Sequence, residues 1–167
     1  MISFQIKHLG SFMHKLLSTD CFDSFLLAEA SLLTAVTFVI DGHQNKAFYT
    51  SEEWEDDSIR PYEFVTWKSI RPLLFDLVKG KRTPVSFKFV LHLMPEYVGP
   101  TLKQGDTTVT ADQLRALALT IKYDGSALTL VTGTAMNTFL MDKSPDLVWD
   151  NAMRKFLSKK EIDFEEI

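Results

Sequence analysis

The sequence predicts an α+β fold: a mainly antiparallel sheet of about seven or eight strands with three helices. Several segments alternate apolar and polar residues with a period of two, as strands with one buried face do. Other segments repeat their apolar residues at the spacing of amphipathic helices. With 167 residues, 46% of them hydrophobic, the chain is long enough to bury a core. We therefore expect a single domain over residues 1–167.

The segment 66–94 is the centre of the predicted fold. Residues 66–79 predict a helix that buries Trp67 and Leu74 on one side. Gly80 follows directly, and glycine is the usual residue after the end of a helix. A basic turn then leads to the next strand.

Residues 85–94 predict a strand whose alternate side chains form the floor beneath this helix: Val85, Phe87, Phe89, Leu91 and Leu93. Each large apolar side chain of this kind stabilises the fold by roughly 1.5–3 kcal/mol when it is fully buried. One core is expected to contain large apolar residues from this helix, from this strand and from the last helix of the chain, namely Trp67, Leu74, Phe87, Phe89 and Trp149.

The first part of the chain predicts a strand, a helix and two further strands, at residues 2–7, 9–17, 22–30 and 32–40. An Asp-Gly pair at 41–42 is a turn signal, and residues 46–49 are expected to return as another strand. Two loop lengths are compatible with this turn. A two-residue loop sets Phe38 opposite Asn45, whereas a longer loop, which we prefer, sets it opposite Ala47.

Residues 114–123 and 126–132 predict the clearest hairpin of the chain. They flank a second Asp-Gly pair at 124–125, which is typical of a two-residue type I′ turn. Such a turn sets Ile121 opposite Leu128, so that apolar side chains meet on one face.

The remaining segments have weaker patterns. Residues 51–58 are strongly acidic and predict an exposed linker, while prolines and glycines in 95–108 predict an irregular connection. Residues 137–141 suggest a further strand. Ser144 is expected to cap a last helix, and residues 161–167 suggest either a short final strand or a loose end.

The predicted order of elements is compatible with an internal duplication, roughly residues 1–58 and 59–167. Each half would contain a strand, a helix and three strands, with an Asp-Gly turn in both. This order is similar to the duplicated unit of the DNA sliding clamps, whose helices present basic residues to DNA. The resemblance implies a clamp-like fold; it rests on element order, because no clamp motif is present.

A second resemblance covers most of the chain. The segments ISFQIKHLGSFMHKLL, FDSFLLAEA and TWKSIRPLLFDLVKGKRTPVSFKFVLHL resemble a family of uncharacterised bacterial proteins of about this length. That family implies no activity, so the resemblance transfers no functional residues.

Several kinds of chemistry lack their usual sequence signals. The four histidines show no metal-binding spacing, and a single cysteine, Cys21, excludes a cysteine-rich zinc site, so we expect no metal. No phosphate-binding or dinucleotide-binding glycine motif occurs, and no cofactor is expected. One cysteine, no leader-like apolar segment and no bilayer-length apolar run predict a cytoplasmic protein without a membrane span.

Positive charge is concentrated on the central helix, although the formal net charge of the chain is −4. We call one group of residues the basic surface: Lys68, Arg71, Phe75, Lys79, Lys81 and Arg82. Helical angles place Lys68, Arg71, Phe75 and Lys79 on the solvent side, with the aromatic ring among the cations, and Lys81 and Arg82 follow in the basic turn. Such a surface suits nucleic acid or an acidic protein partner, and a homo-oligomer is compatible with it. Two structural alternatives are that it faces the acidic linker of the same chain or lies under the loop at residues 95–108.

The sequence therefore favours a non-enzymatic binding or adaptor module. The alternative is a small-molecule enzyme whose site is assembled from scattered residues such as His43, His92 and Cys21. A deep pocket that contains two titratable groups would favour the enzyme, and a flat basic face would favour binding.

Overall fold

The computed structural model describes residues 1–167 and shows an α+β protein built on one sheet of eight antiparallel strands. The strands are β1 (Ser3–Ile6), β2 (Phe25–Leu33), β3 (Thr37–Asp41), β4 (Val65–Thr66), β5 (Ser86–Leu93), β6 (Leu114–Tyr123), β7 (Leu128–Met136) and β8 (Phe164–Glu166). The sheet order is β3-β2-β5-β6-β7-β1-β8, and β4 pairs with β2. The predicted fold class and strand number are confirmed.

Five helices accompany the sheet, rather than the three that were predicted: α1 (Leu9–Ser18), α2 (Ser51–Glu55), α3 (Trp67–Val78), α4 (Pro95–Leu102) and α5 (Ser144–Lys159). Helix α2 lies within the predicted linker, where Thr50 and Glu53 form a reciprocal capping box. Helix α4 lies within the predicted irregular connection. Pro95 is its first residue, a position at which the missing N–H of proline costs no helical hydrogen bond.

The core lies between one face of the sheet and the helices α1, α3 and α5, which pack against that face. Phe87, Phe89 and Leu91 of β5 are buried on this face, as their alternation predicts. The five residues expected to share one core do so. Val85 is an exception to the predicted floor, because it precedes the strand at the end of the sheet and is 64% exposed.

Trp67 connects the helices to the sheet. Its side chain is fully buried, and its Nε1–H donates to the carbonyl of Leu16 in the last turn of α1, over 3.0 Å. Its ring packs on Phe89 of β5 with centroids 5.8 Å apart. The predicted helix is confirmed, and Thr66 caps it by accepting from the N–H of Ser69.

The boundaries of the two strands predicted at 22–30 and 32–40 are corrected by the structure. Strand β2 continues through residue 31 to Leu33, and the chain turns at residues 34–36, so that Phe38 pairs with Leu32 rather than with Asn45 or Ala47. A bulge at Ala28 shifts the register, which places both Leu27 and Ala30 on the core side and breaks the period of two. Residues 46–48 form a 3₁₀ turn and not a strand.

Gly42 is therefore not a hairpin residue but a point of close backbone approach. Its N–H donates to the carbonyl of Ala28 in the bulge, and its carbonyl accepts from the N–H of Val65 in β4, each over 2.8 Å. A Cβ at this position would lie 1.8 Å from the carbonyl oxygen of Leu27. Only glycine fits between the two strands.

The Asp-Gly hairpin forms between β6 and β7, but its register differs from the predicted one. Ile121 lies opposite Leu130, because the turn is centred on Gly125 and Ser126, one residue later than expected. The Asp124 carboxylate accepts from the N–H groups of Ser126 and of Ala127, which holds its pKa at about 2. These hydrogen bonds of the Asp124 side chain move the centre of the turn by one residue. The partner of Ile121 changes by two residues, from Leu128 to Leu130, and an even shift keeps the apolar side chains on the core face.

Three smaller expectations are also corrected. Residues 137–141 form no strand, and Ser144 is the first residue of α5 rather than its cap. Residues 46–48 form a 3₁₀ turn, so residues 1–58 contain three strands and not the four that the predicted repeat has. The internal duplication itself stays a prediction. At the C-terminus, β8 shows that the short final strand, and not the loose end, was the correct alternative.

Replacing Gly42 with alanine is expected to lower the free energy of unfolding by about 3 kcal/mol, because the new methyl group collides with backbone that cannot rotate away. Gly99→Ala is the matched control. Gly99 lies inside α4 with no atom within 4 Å of the added Cβ, so alanine there is expected to stabilise by about 0.5–1 kcal/mol. Urea denaturation of both variants measures the difference. Equal effects would show that the close approach of Gly42 is not rigid.

Candidate functional site

The outer side of α3 carries the residues of the basic surface that the sequence singled out. Lys68, Phe75 and Lys79 are exposed along this side, and Lys81 and Arg82 are exposed in the loop that follows. Phe75 is 41% exposed among these cations, whereas Leu73, which is 49% exposed, lies about 160° from Phe75 around the helix and outside the basic surface. Leu73 was expected on the buried side, but it lies at the edge of the apolar stripe, about 120° around the helix from Trp67.

Two of the five cations on this surface already have acidic partners. Arg71 is only 19% exposed and grips Asp23 with two hydrogen bonds, Nε to Oδ1 at 3.0 Å and a terminal nitrogen to Oδ2 at 3.2 Å. This contact raises the pKa of Arg71, and it corrects the placement of Arg71 on the solvent side. Lys79 pairs with Asp76 at 3.0 Å and its ammonium lies 5.9 Å from the ring centre of Phe75.

Lys68, Lys81 and Arg82 form no ion pair, so they are the cations of this surface that are available to a partner. None of the ion pairs joins the basic surface to the acidic residues of α2 and the turn after it. The acidic linker of the same chain is thus not what the basic surface contacts.

A groove of about 480 Å³ lies on the other side of the sheet, at the side that the helices leave open. Because Leu91 of β5 points into the core, its neighbours Val90 and His92 face this groove. The bulge of β2 forms the floor beside them, and the segment held by Gly42 brings His43 to the rim. We call this feature the histidine groove.

The two histidines of the groove share one aromatic neighbour. The ring of Phe64 lies 4.3 Å from the ring of His43 and 5.0 Å from that of His92, between centroids. Asp41 Oδ1 lies 3.0 Å from Nδ1 of His43 and accepts from the backbone N–H of the same residue. These two contacts lower the pKa of Asp41 and favour a proton on Nδ1 of His43.

The electrostatics of the groove keep one histidine neutral. Burial lowers the pKa of His92, and the charges of Arg115 and His43 act in the same direction. Glu63 and Glu29 oppose this shift but do not cancel it. Near neutral pH, His92 is therefore an uncharged imidazole that can accept a proton or a hydrogen bond.

Cys21 takes no part in this site. It lies between α1 and β2, where its N–H donates to the hydroxyl of Thr19 over 3.3 Å and its side chain packs against the core. The structure thus brings His43 and His92 together and leaves the third residue of the predicted group elsewhere. Phe64, Asp41 and Glu63 were missed by sequence reasoning; the spacing of Asp41 two residues before His43 was the one available signal.

The histidine and aspartate side chains of the groove can exchange protons and form polar contacts. No group of three or more His, Cys, Asp or Glu side chains is placed to hold a metal ion. Every buried side-chain nitrogen and oxygen has a hydrogen-bond partner. None of the helices combines the length and the apolar composition required to cross a bilayer.

These features define an α+β protein with helices on one face of an antiparallel sheet, a basic helix surface and a shallow groove on the open face. The chain belongs to the family of unknown function DUF5721, whose model matches residues 15–165. The resemblance to an uncharacterised family is thereby confirmed. No curated protein and no solved structure matches the chain, and the similarity to sliding clamps stays a prediction.

The pKa of His92 is expected to lie below the ordinary histidine value of about 6.5 and to fall further in Glu63→Gln, because the variant removes a nearby negative charge. Glu55→Gln is the control, since this exposed acid of α2 does not face His92. NMR titration of the His92 ring measures both. A pKa at or above the ordinary value would contradict the burial of the ring.

The same shift makes stability depend on pH. Below about pH 6.5 the unfolded chain binds a proton at His92 that the folded chain does not. Stability is therefore expected to fall as the pH decreases from that value through the lower pKa of the folded protein. His92→Gln should remove this part of the pH dependence in urea denaturation.

Proposed function

We propose that this protein is a non-enzymatic binding module whose basic surface binds an acidic protein segment that also contains apolar residues. The observation that supports this most directly is the exposure of Phe75 at the centre of the surface. An aromatic ring on a rigid helix, surrounded by lysines, resembles the apolar centre and charged rim of a protein interface.

The pairing of the cations favours protein over nucleic acid as the partner. Affinity for nucleic acid comes mainly from the number of phosphates that free cations neutralise. Arg71 and Lys79 are already neutralised by Asp23 and Asp76, and the whole chain is acidic. Phe75, in contrast, offers apolar area that a protein segment can cover.

We propose a cytoplasmic location for this module. The chain has a single cysteine, Cys21, and a partly buried thiol packed on the core needs no oxidising compartment. The sequence resemblance to bacterial proteins is consistent with this location.

The affinity of a fluorescent peptide in which acidic residues flank two leucines tests this proposal. We expect Phe75→Ala to weaken binding about thirtyfold, which corresponds to the roughly 2 kcal/mol lost at an interface hot spot. The combined change Lys68→Glu, Lys81→Glu and Arg82→Glu should abolish binding and leave the fold intact, because none of the three forms an ion pair. Leu147→Ala, at an exposed position of α5, is the matched control for Phe75→Ala.

Two further probes separate the alternatives. A peptide with serines in place of the leucines should bind weakly; equal binding would show that charge alone is recognised. A single-stranded oligonucleotide that binds more tightly than the peptide, with a steep loss of affinity in salt, would make nucleic acid the partner. Absence of binding by every probe at low salt would refute the proposal.

A second candidate function is proton-transfer chemistry on a small molecule in the histidine groove. The specific observation in its favour is that His43, oriented by Asp41, and the neutral His92 share one groove. A general base needs this combination of orientation and an uncharged imidazole. Small-molecule fragments that perturb both ring signals in NMR, and lose binding in His92→Gln but not in Cys21→Ser, would support it. No perturbation of either ring by any fragment would rule it out.

A further inference from the structure

The protein contains one segment with the chemistry that the basic surface requires. This acidic segment comprises residues 48–57, from Phe48 through α2 to Asp57. Glu52 and Glu55 are exposed and form no ion pair. Phe48 is 85% exposed, so the same segment carries both acids and an aromatic ring that is largely open to solvent.

The acidic segment is held in shape although it lies at the surface. The capping box of Thr50 and Glu53 fixes the start of α2. The Nε1–H of Trp54 donates to the carbonyl of Lys46 over 3.1 Å, and the ring of Tyr49 packs edge-on against the indole at 5.7 Å. Phe48 packs on Tyr49 in turn, at 5.4 Å. A segment ordered in this way loses little conformational entropy on binding.

We infer that the acidic partner of the basic surface is a second copy of this chain, whose acidic segment docks on α3. The inference rests on the proposed function and names its partner. Each surface has unpaired charge of one sign beside an exposed aromatic ring: Lys68, Lys81 and Arg82 with Phe75, and Glu52 and Glu55 with Phe48. Within one chain, no ion pair connects the two surfaces.

This contact joins two different surfaces, so it is heterologous. After the first contact one copy keeps an unused acidic segment and the other keeps an unused basic surface, so association continues to a chain or closes to a ring. Exposed ion pairs contribute little to affinity because water screens them, so the contact is weak and depends on protein concentration. It is also sensitive to salt, because the Debye length falls from about 10 Å at 0.1 M to about 3 Å at 1 M.

Sedimentation velocity on two neutralised variants tests the inference. The first variant combines Lys68→Gln, Lys81→Gln and Arg82→Gln, and the second combines Glu52→Gln and Glu55→Gln. The unmodified protein is expected to associate as its concentration rises and to dissociate at high salt. Each variant alone should be monomeric at concentrations about tenfold higher, since one half of every contact is lost.

An equimolar mixture of the two variants gives the sharpest result. The first variant retains a native acidic segment and the second a native basic surface, so one native contact can form and no second one can follow. We therefore expect a dimer and no larger species. Two control variants neutralise exposed charges elsewhere, Lys7→Gln with Lys103→Gln and Asp106→Asn with Glu165→Gln, and should associate like the unmodified protein.

Four results would overturn the inference. A monomeric unmodified protein that still binds the acidic peptide would show that the proposed function holds with another partner. Failure of both self-association and peptide binding would remove the proposed function as well. Association by the two neutralised variants as strong as that of the unmodified protein, or a mixture that stays monomeric, would show that a different interface is used.

Discussion

The buried indole of Trp67 is the contact on which the arrangement of the helices depends. Its Nε1–H satisfies the carbonyl of Leu16 at the end of α1, and its ring rests on Phe89 in the centre of the sheet. One side chain thus fixes α1, α3 and β5 relative to one another. An indole can do so because it combines a large apolar area with a single polar group that must find a partner when buried.

The orientation of α3 follows from this contact. With Trp67 and Leu74 fully buried against the core, the flank of the helix that includes Phe75, about 80° around the helix from Trp67, faces solvent. Arg71, between the two sides, is drawn to Asp23 in the loop before β2. Two cations of the basic surface are therefore neutralised by ion pairs within the chain. The cations that remain available to a partner are Lys68, Lys81 and Arg82, on the same surface as the exposed ring of Phe75.

The open face of the sheet is organised by a different constraint. The bulge at Ala28 and the close approach of Gly42 bend the chain so that His43 reaches the rim of a groove whose floor includes His92. The groove is open to solvent, but His92 is buried deeply enough within it that its pKa is lowered and the ring stays neutral near pH 7. The two candidate sites are thus on opposite faces of one sheet.

The sequence by itself determined the elements whose signal is local. Periodicity was sufficient for α1, α3, β5 and the hairpin of β6 and β7, and for a core around Trp67 and Phe89, because side-chain alternation follows directly from backbone geometry. The resemblance of three segments of the sequence also pointed to membership of an uncharacterised family. Tertiary structure alone decided the features that depend on distant contacts. The Ala28 bulge interrupts the period, the Asp124 side chain moves the turn by one residue, and Arg71 finds Asp23 across 48 positions. His43 meets His92 only because Gly42 can lie against β2, a fit that depends on space between strands and leaves no pattern in the sequence.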